Sequence, residues 1–142
     1  MRTEILPANE MPAMTGEHMR RAICAMFEAW QDGDRETIER HLAEDFAFTS
    51  PHDDGIDRAA YFERRWPDHK ALDTMTVERI VIDGASAYVT YTAHNMSGRA
   101  SRNTAYVTFN GGKIASIETY LGPEYKDGHM LPAESHPASQ TH

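Results

Sequence analysis

At 142 residues and 40% apolar side chains the chain has the size of one domain with one ordinary core, so a second domain is not expected. Fourteen basic residues against 22 acidic ones leave a formal charge of -8, whose average field repels phosphate backbones and anionic lipid and excludes nucleic acid and membrane as expected partners. No apolar run approaches the roughly 20 residues that span a bilayer, the start MRTEILPANEM lacks a signal-peptide apolar region, and the single Cys24 excludes an internal disulfide, so a cytoplasmic location is the expectation.

Residues 1–14 carry two prolines and no sustained period, which reads as an arm over the body or over a partner subunit. Thr15 is a plausible N-cap, and Met19, Ile23, Met26, Phe27 and Trp30 follow at the spacing of one helical face. Cys24 lies beside that stripe with no recognisable basic partner and reads as packing. Asp32-Gly33-Asp34 breaks the helix, and Asp34 can cap a second one carrying Ile38, His41 and Leu42. Phe46-Ala47-Phe48 reads as a short strand that stops at Ser50-Pro51, because proline cannot donate to a ladder. His52, Asp53, Asp54 and Gly55 read as a loop, and Asp57 caps a third helix holding Tyr61, Phe62, Arg65 and Trp66 until Pro67.

From Met75 the period changes to that of strands. Asp83-Gly84, Ser97-Gly98 and Asn110-Gly111 punctuate the pattern as hairpin turns, which gives a four-stranded antiparallel meander ending with Ile114 to Leu121. Three helices ahead of a meander predict an α+β layer arrangement with the helices packed on one face of the sheet. After Gly122 no core pattern is visible. The expected organisation is an arm over 1–14, a domain over 15–122 and a mobile tail over 123–142 with Tyr125 and Met130 as anchors.

The segments AMFEAWQDGDRETIERHLAEDFAFTSP, GIDRAAYFERRW and VTFNGGKIASIETYLG, in that order and spacing, resemble the nuclear transport factor 2-like superfamily, in particular its SnoaL-like and ketosteroid-isomerase-related branches, over about residues 16 to 122. The resemblance implies a cone-shaped, cystatin-like fold in which a curved sheet wraps the helices around a cavity. In the family such cavities take steroids, polyketides, epoxides or small acids, and many members are homodimers.

The family's chemistry can be tested on single positions. Where the steroid isomerase type has a carboxylate base, at the end of the first strand before a proline, this chain has Ser50; where it has a tyrosine donor on the first helix, Met26; where it has a second acidic donor, Ala105. Losing base and donors together removes that activity. The epoxide-hydrolase type carries a carboxylate before an aromatic residue of the last strand, and Thr119 stands there before Tyr120; Glu118 beside it should point through the opposite face. A SnoaL-like cyclase acid in this strand meets the same objection.

His52 and Asp53 remain as the candidate catalytic pair, since histidine titrates near neutrality and the two can exchange protons with a ligand if both point inward. The competing reading is a solvated loop with a turn-forming aspartate. The expected ligand-binding wall is Met26, Trp30, Ser50, Phe62, Trp66, Tyr91, Ala105, Val107, Thr119 and Leu121, which suits an apolar or aromatic ligand and equally suits a closed core. No metal and no organic cofactor are expected. Tyr88, Tyr106, Glu118 and Tyr120 should lie on the outer sheet face, and so many tyrosines there suggest a homodimer interface. The functional expectation is a small-molecule pocket protein with cofactor-independent proton-transfer chemistry, such as isomerisation, cyclisation, dehydration or hydrolysis; the alternative is a non-catalytic interaction module of the same fold.

Overall fold

The computed structural model describes residues 14–132, so residues 1–13 of the expected arm and 133–142 of the expected tail lie outside the described residues. Thr15 opens α1 (Gly16–Asp32) by accepting the His18 N–H at 3.1 Å, supplying one partner that first-turn amides lack. Met19, Ile23, Met26 and Ala29 share a face and are buried, which contributes about 1.5–3 kcal/mol for each large side chain. Cys24 is exposed, so its reading as a packing residue is corrected: it falls off the buried stripe. Asp34 caps α2 (Arg35–His41), accepting the Thr37 N–H at 3.2 Å and the Thr37 hydroxyl at 2.6 Å, and those two bonds hold its carboxyl below the usual carboxylate range.

β1 (Leu42–Ser50) follows directly, β2 (Asp53–Asp57) doubles back along it, and Asp57 caps α3 (Arg58–Arg64) by accepting the Ala60 N–H at 2.9 Å. A short 3-10 helix, Trp66–Ala71, leads into β3 (Leu72–Asp83), β4 (Ser86–Asn95), β5 (Ala100–Asn110), β6 (Lys113–Lys126) and β7 (His129–Met130). The seven strands form one sheet in the order β2-β1-β6-β5-β4-β3, with β7 also on β6. Neighbours are antiparallel except β1 and β6, which run parallel. Bulges in β1, β3 and β6 bend the sheet. α1 is tied to β3 by Gln31 Oε1, which accepts the Met75 N–H at 2.9 Å, and by Arg20 Nη1, which donates to the Ile80 carbonyl at 3.1 Å.

The expected α+β class, three helices against a curved antiparallel meander, is the fold found. The sheet is larger than four strands plus one short one. The presumed loop at 53–55 is part of β2, because Asp53 and Ile56 pair with Ser50 and Phe48 of β1. The third helix ends at Arg64, and Trp66 instead starts the 3-10 helix, where Pro67 fits a first turn that does not need its N–H. β6 continues through Gly122 to Lys126. A Cβ at Gly122 would sit 2.3 Å from the Arg102 carbonyl oxygen, and the Gly122 N–H donates to Asn103 Oδ1 at 3.0 Å. The residue that reads as a terminator is therefore a point of close strand approach. Asp127 and Gly128, both at positive φ, then turn the chain into β7.

Among the described residues no helix is long and apolar enough to cross a membrane.

Candidate functional site

Between the inner face of α1 and the sheet lies a cavity of about 290 Å³ that opens to solvent. Met26, Phe27 and Trp30 enter it from α1, and Tyr61 from α3. Strand alternation turns Tyr91 of β4, Ala105 and Val107 of β5, and Ile117, Thr119 and Leu121 of β6 into the same space. Phe48 and Ser50 close the β1 side. His52, Arg65, Asp68 and Asn95 also border the cavity, and the exposed His52 and Asp68 mark where it reaches solvent.

Eight of the ten expected wall residues thus border the cavity: Met26, Trp30, Ser50, Tyr91, Ala105, Val107, Thr119 and Leu121. Phe62 and Trp66 do not, and both are corrected. Phe62 faces the other side of α3, where the Arg35 and Arg58 guanidinium groups lie 4.4 and 5.5 Å from its ring centre. Trp66 packs behind the wall, its ring 5.2 Å from Trp30 and stacked on His69 at 4.3 Å. On a helix each residue is turned about 100° from the next, so choosing Phe62 over its neighbour Tyr61 missed the cavity by one step of phase.

Of the candidate pair, His52 borders the cavity and Asp53 is not among the residues that line it. The His52 backbone N–H donates to Ser50 Oγ at 3.0 Å. Asp53, the first residue of β2, turns away and is buried; its carboxylate lies 3.1 Å from Arg65 Nε and 3.6 Å from Arg64 Nη1. The shorter approach is an ion pair without hydrogen-bond alignment. Arg65 also pairs with Asp68 at 3.2 Å, so its charge at the cavity edge is met by two carboxylates.

Two buried phenols, Tyr61 and Tyr91, also border the cavity. Trp30 Nε1 donates to Tyr61 Oη at 2.8 Å, and Tyr61 sits within a ring cluster with Phe46 at 5.2 Å and Phe48 at 5.0 Å. Burial pushes the Tyr61 hydroxyl well above the ordinary tyrosine range, against the opposing effect of the Trp30 bond, and a charge on Tyr91 would add to the rise. Burial pushes the Tyr91 hydroxyl up to about 12, against the opposing effect of the neighbouring Thr119 side chain. Tyr61 was missed by sequence reading, although one signal existed: an indole N–H on a buried helix face requires an acceptor.

On the opposite sheet face Tyr88 and Tyr106 lie with ring centres 4.8 Å apart, and the Tyr120 hydroxyl donates to Glu118 Oε1 at 2.7 Å. Glu118 therefore points away from the cavity while Thr119 borders it.

The profile of the SnoaL-like domain matches residues 23–117, more than half of the chain. The chain belongs to the SnoaL-like family. Solved structures share its nuclear transport factor 2-like fold. A candidate ketosteroid isomerase from Kribbella flavida DSM 17836 is 21% identical, with a TM-score of 0.64 over 83% of this chain and 93% of its own. A candidate polyketide cyclase from Sinorhizobium meliloti is 21% identical, with a TM-score of 0.60 over 72% of this chain and 97% of its own. An LEH-like epoxide hydrolase from M. tuberculosis is 20% identical, with a TM-score of 0.61 over 74% of this chain and 83% of its own. At these identities the likeness is one of fold. No curated protein sequence matches this SnoaL-like chain.

Proposed function

We propose that this SnoaL-like chain binds one small apolar or aromatic molecule and performs cofactor-independent proton-transfer chemistry on it, of the isomerase, cyclase, dehydratase or hydrolase kind. The observation that carries this is the cavity: about 290 Å³, open to solvent, with a largely apolar wall and a few inward polar groups. A dry cavity of about 150 Å³ accommodates benzene, so the space suits a ligand of one or two rings and is small for four fused rings. That agrees with the absence of steroid-isomerase groups, since Ser50, Met26 and Ala105 border the cavity in place of the base and donors. His52 is the histidine on its border and the proposed proton carrier, with Asp53 kept to its ion pairs. The solved relatives named for isomerase, cyclase and epoxide-hydrolase activities support this range of reactions without selecting among them.

Native mass spectrometry of freshly purified protein, followed by denaturing extraction, tests the reading. An added mass in the range of one- or two-ring compounds is the expected result. Protein that stays bare, and that shows no binding across a panel of such compounds, would overturn it.

A second feature is the outer sheet face, where Tyr88 is 46% and Tyr120 58% exposed. We propose that Tyr88, Tyr106, Glu118 and Tyr120 pair two copies of the chain, with a non-catalytic interaction role through this face as the competing function. Sedimentation of the wild type as a dimer and of Tyr88→Asp as a monomer is expected; a wild-type monomer would remove the interface.

A further inference from the structure

Resting on the pairing of two copies proposed above, we infer that charge fixes how they meet: the two-fold axis runs along the strands, so that β3 of one copy lies over β6 of the other and Arg79 meets Glu118 of the partner subunit. The strand registers give the layout of the outer face. One row across it reads Glu118 of β6, Tyr106 of β5, Tyr88 of β4 and Val81 of β3, and the next reads Tyr120, Thr104, Thr90 and Arg79. The tyrosine pair thus lies in the middle, with an acid on one flank and a base on the other. Neighbouring strands are about 4.8 Å apart, so Arg79 and Glu118 stand about 14 Å from each other across the sheet, too far to pair within one chain.

Among the described residues neither forms an ion pair. Arg79 Nη1 donates to Thr90 Oγ1 at 3.2 Å, and Glu118 Oε1 accepts the Tyr120 hydroxyl at 2.7 Å. Other charges of this part of the sheet are already engaged. Thr92 Oγ1 donates to Glu78 Oε2 at 2.7 Å, the Arg102 guanidinium lies 4.6 Å from the Tyr125 ring centre, and Glu124 pairs with Arg99 at 3.1 Å. Two-fold symmetry makes every contact twice, and a face-to-face pair has two simple arrangements. With the axis across the strands each strand lies over its own copy, which brings Arg79 towards Arg79 and Glu118 towards Glu118 of the partner subunit. Like charges brought together at a closing interface disfavour that arrangement. With the axis along the strands, Arg79 lies over Tyr120 and Glu118 of the partner subunit, and Tyr88 meets Tyr106 of the partner subunit. The result is an aromatic centre with one unlike charge pair at each rim.

The test follows sedimentation of the full chain as wild type, Arg79→Glu, Glu118→Arg and the double exchange Arg79→Glu/Glu118→Arg. Each single variant should raise the dimer dissociation constant by roughly tenfold, because symmetry turns two attractive contacts into two repulsive ones. The double exchange should return to within a few fold of wild type. An equimolar mixture of the two single variants should also dimerise as wild type does, since their heterodimer regains both unlike pairs, and a chain that had failed to fold could not do so. An axis across the strands predicts otherwise: each single variant keeps the wild-type constant, and Arg79→Glu pairs with the wild-type chain more often than random mixing gives, as read by native mass spectrometry. Either of those results, or a double exchange that stays dissociated, would overturn the orientation and leave the interface standing. A wild-type monomer would overturn the interface and this inference with it.

Discussion

Ala105→Leu decides whether the space in this fold is a pocket or a core. Ala105 lies in the middle of β5, between Val89 of β4 and Thr119 of β6, and its methyl group borders the cavity. Leucine adds three carbons there. At about 0.8 kcal/mol per buried carbon they are worth about 2.4 kcal/mol if they enter empty space, less about 0.5–1 kcal/mol of lost rotamer freedom. The net of about 1.5 kcal/mol corresponds to a rise in melting temperature of roughly 5 °C for a domain of this size. The same side chain takes part of the about 290 Å³ available, so binding of a two-ring ligand should weaken by at least tenfold. Thermal unfolding without ligand and titration with 1-tetralone measure the two effects separately. If Ala105→Leu instead lowers stability by about 1–3 kcal/mol, the cost of overpacking a filled core, the cavity is not open space and the functional reading built on it fails.

Three further outcomes are expected. Asp53→Ala should cost about 3 kcal/mol in chemical denaturation, because it removes the buried partner of Arg65, whereas the exposed His52→Ala should stay within about 0.5 kcal/mol and lower turnover once a substrate is in hand; the reverse ranking would return Asp53 to the reacting pair. Tyr91, pushed up to about 12 by burial, and Tyr61, raised by the same cause, keep protons in the folded state that the unfolded chain releases near pH 10, so stability is complete below that value and falls as pH rises towards 12 by about 1.4 kcal/mol per pH unit for each phenol. Phenolate absorbance should accordingly show at least two of the six tyrosines titrating late, and a single uniform step near pH 10 would contradict their burial. Gly122→Ala should destabilise by at least about 2 kcal/mol and speed amide exchange along β5 and β6, because its Cβ would meet the Arg102 carbonyl at 2.3 Å; an unchanged melting temperature would show that the two strands do not approach so closely.

Local signals carried most of the architecture. The caps at Thr15, Asp34 and Asp57 are found where short polar side chains precede periodic apolar residues, because an N-cap is decided within one turn. The turns at Asp83-Gly84 and Asn110-Gly111 likewise follow from residues that tolerate positive φ. Asp127-Gly128 carries the same signal, but its flanks are polar and exposed, so hydrophobic alternation gave no reason to extend the sheet there. On the strands, a period of two is enough to tell which face a residue takes, and Ala105, Val107, Thr119 and Leu121 border the cavity for that reason.

What the sequence determined by itself was therefore the class of fold and the strand faces. Tertiary structure alone decided that Tyr61 rather than Phe62 meets the cavity, since the phase of a short helix depends on what packs against it. It also decided that Asp53 leaves its neighbour His52 for Arg64 and Arg65, residues supplied by another element. The Trp30–Tyr61 bond joins residues 31 positions apart. No local rule reaches that far, because the partner of a buried polar group is set by where the chain returns in space.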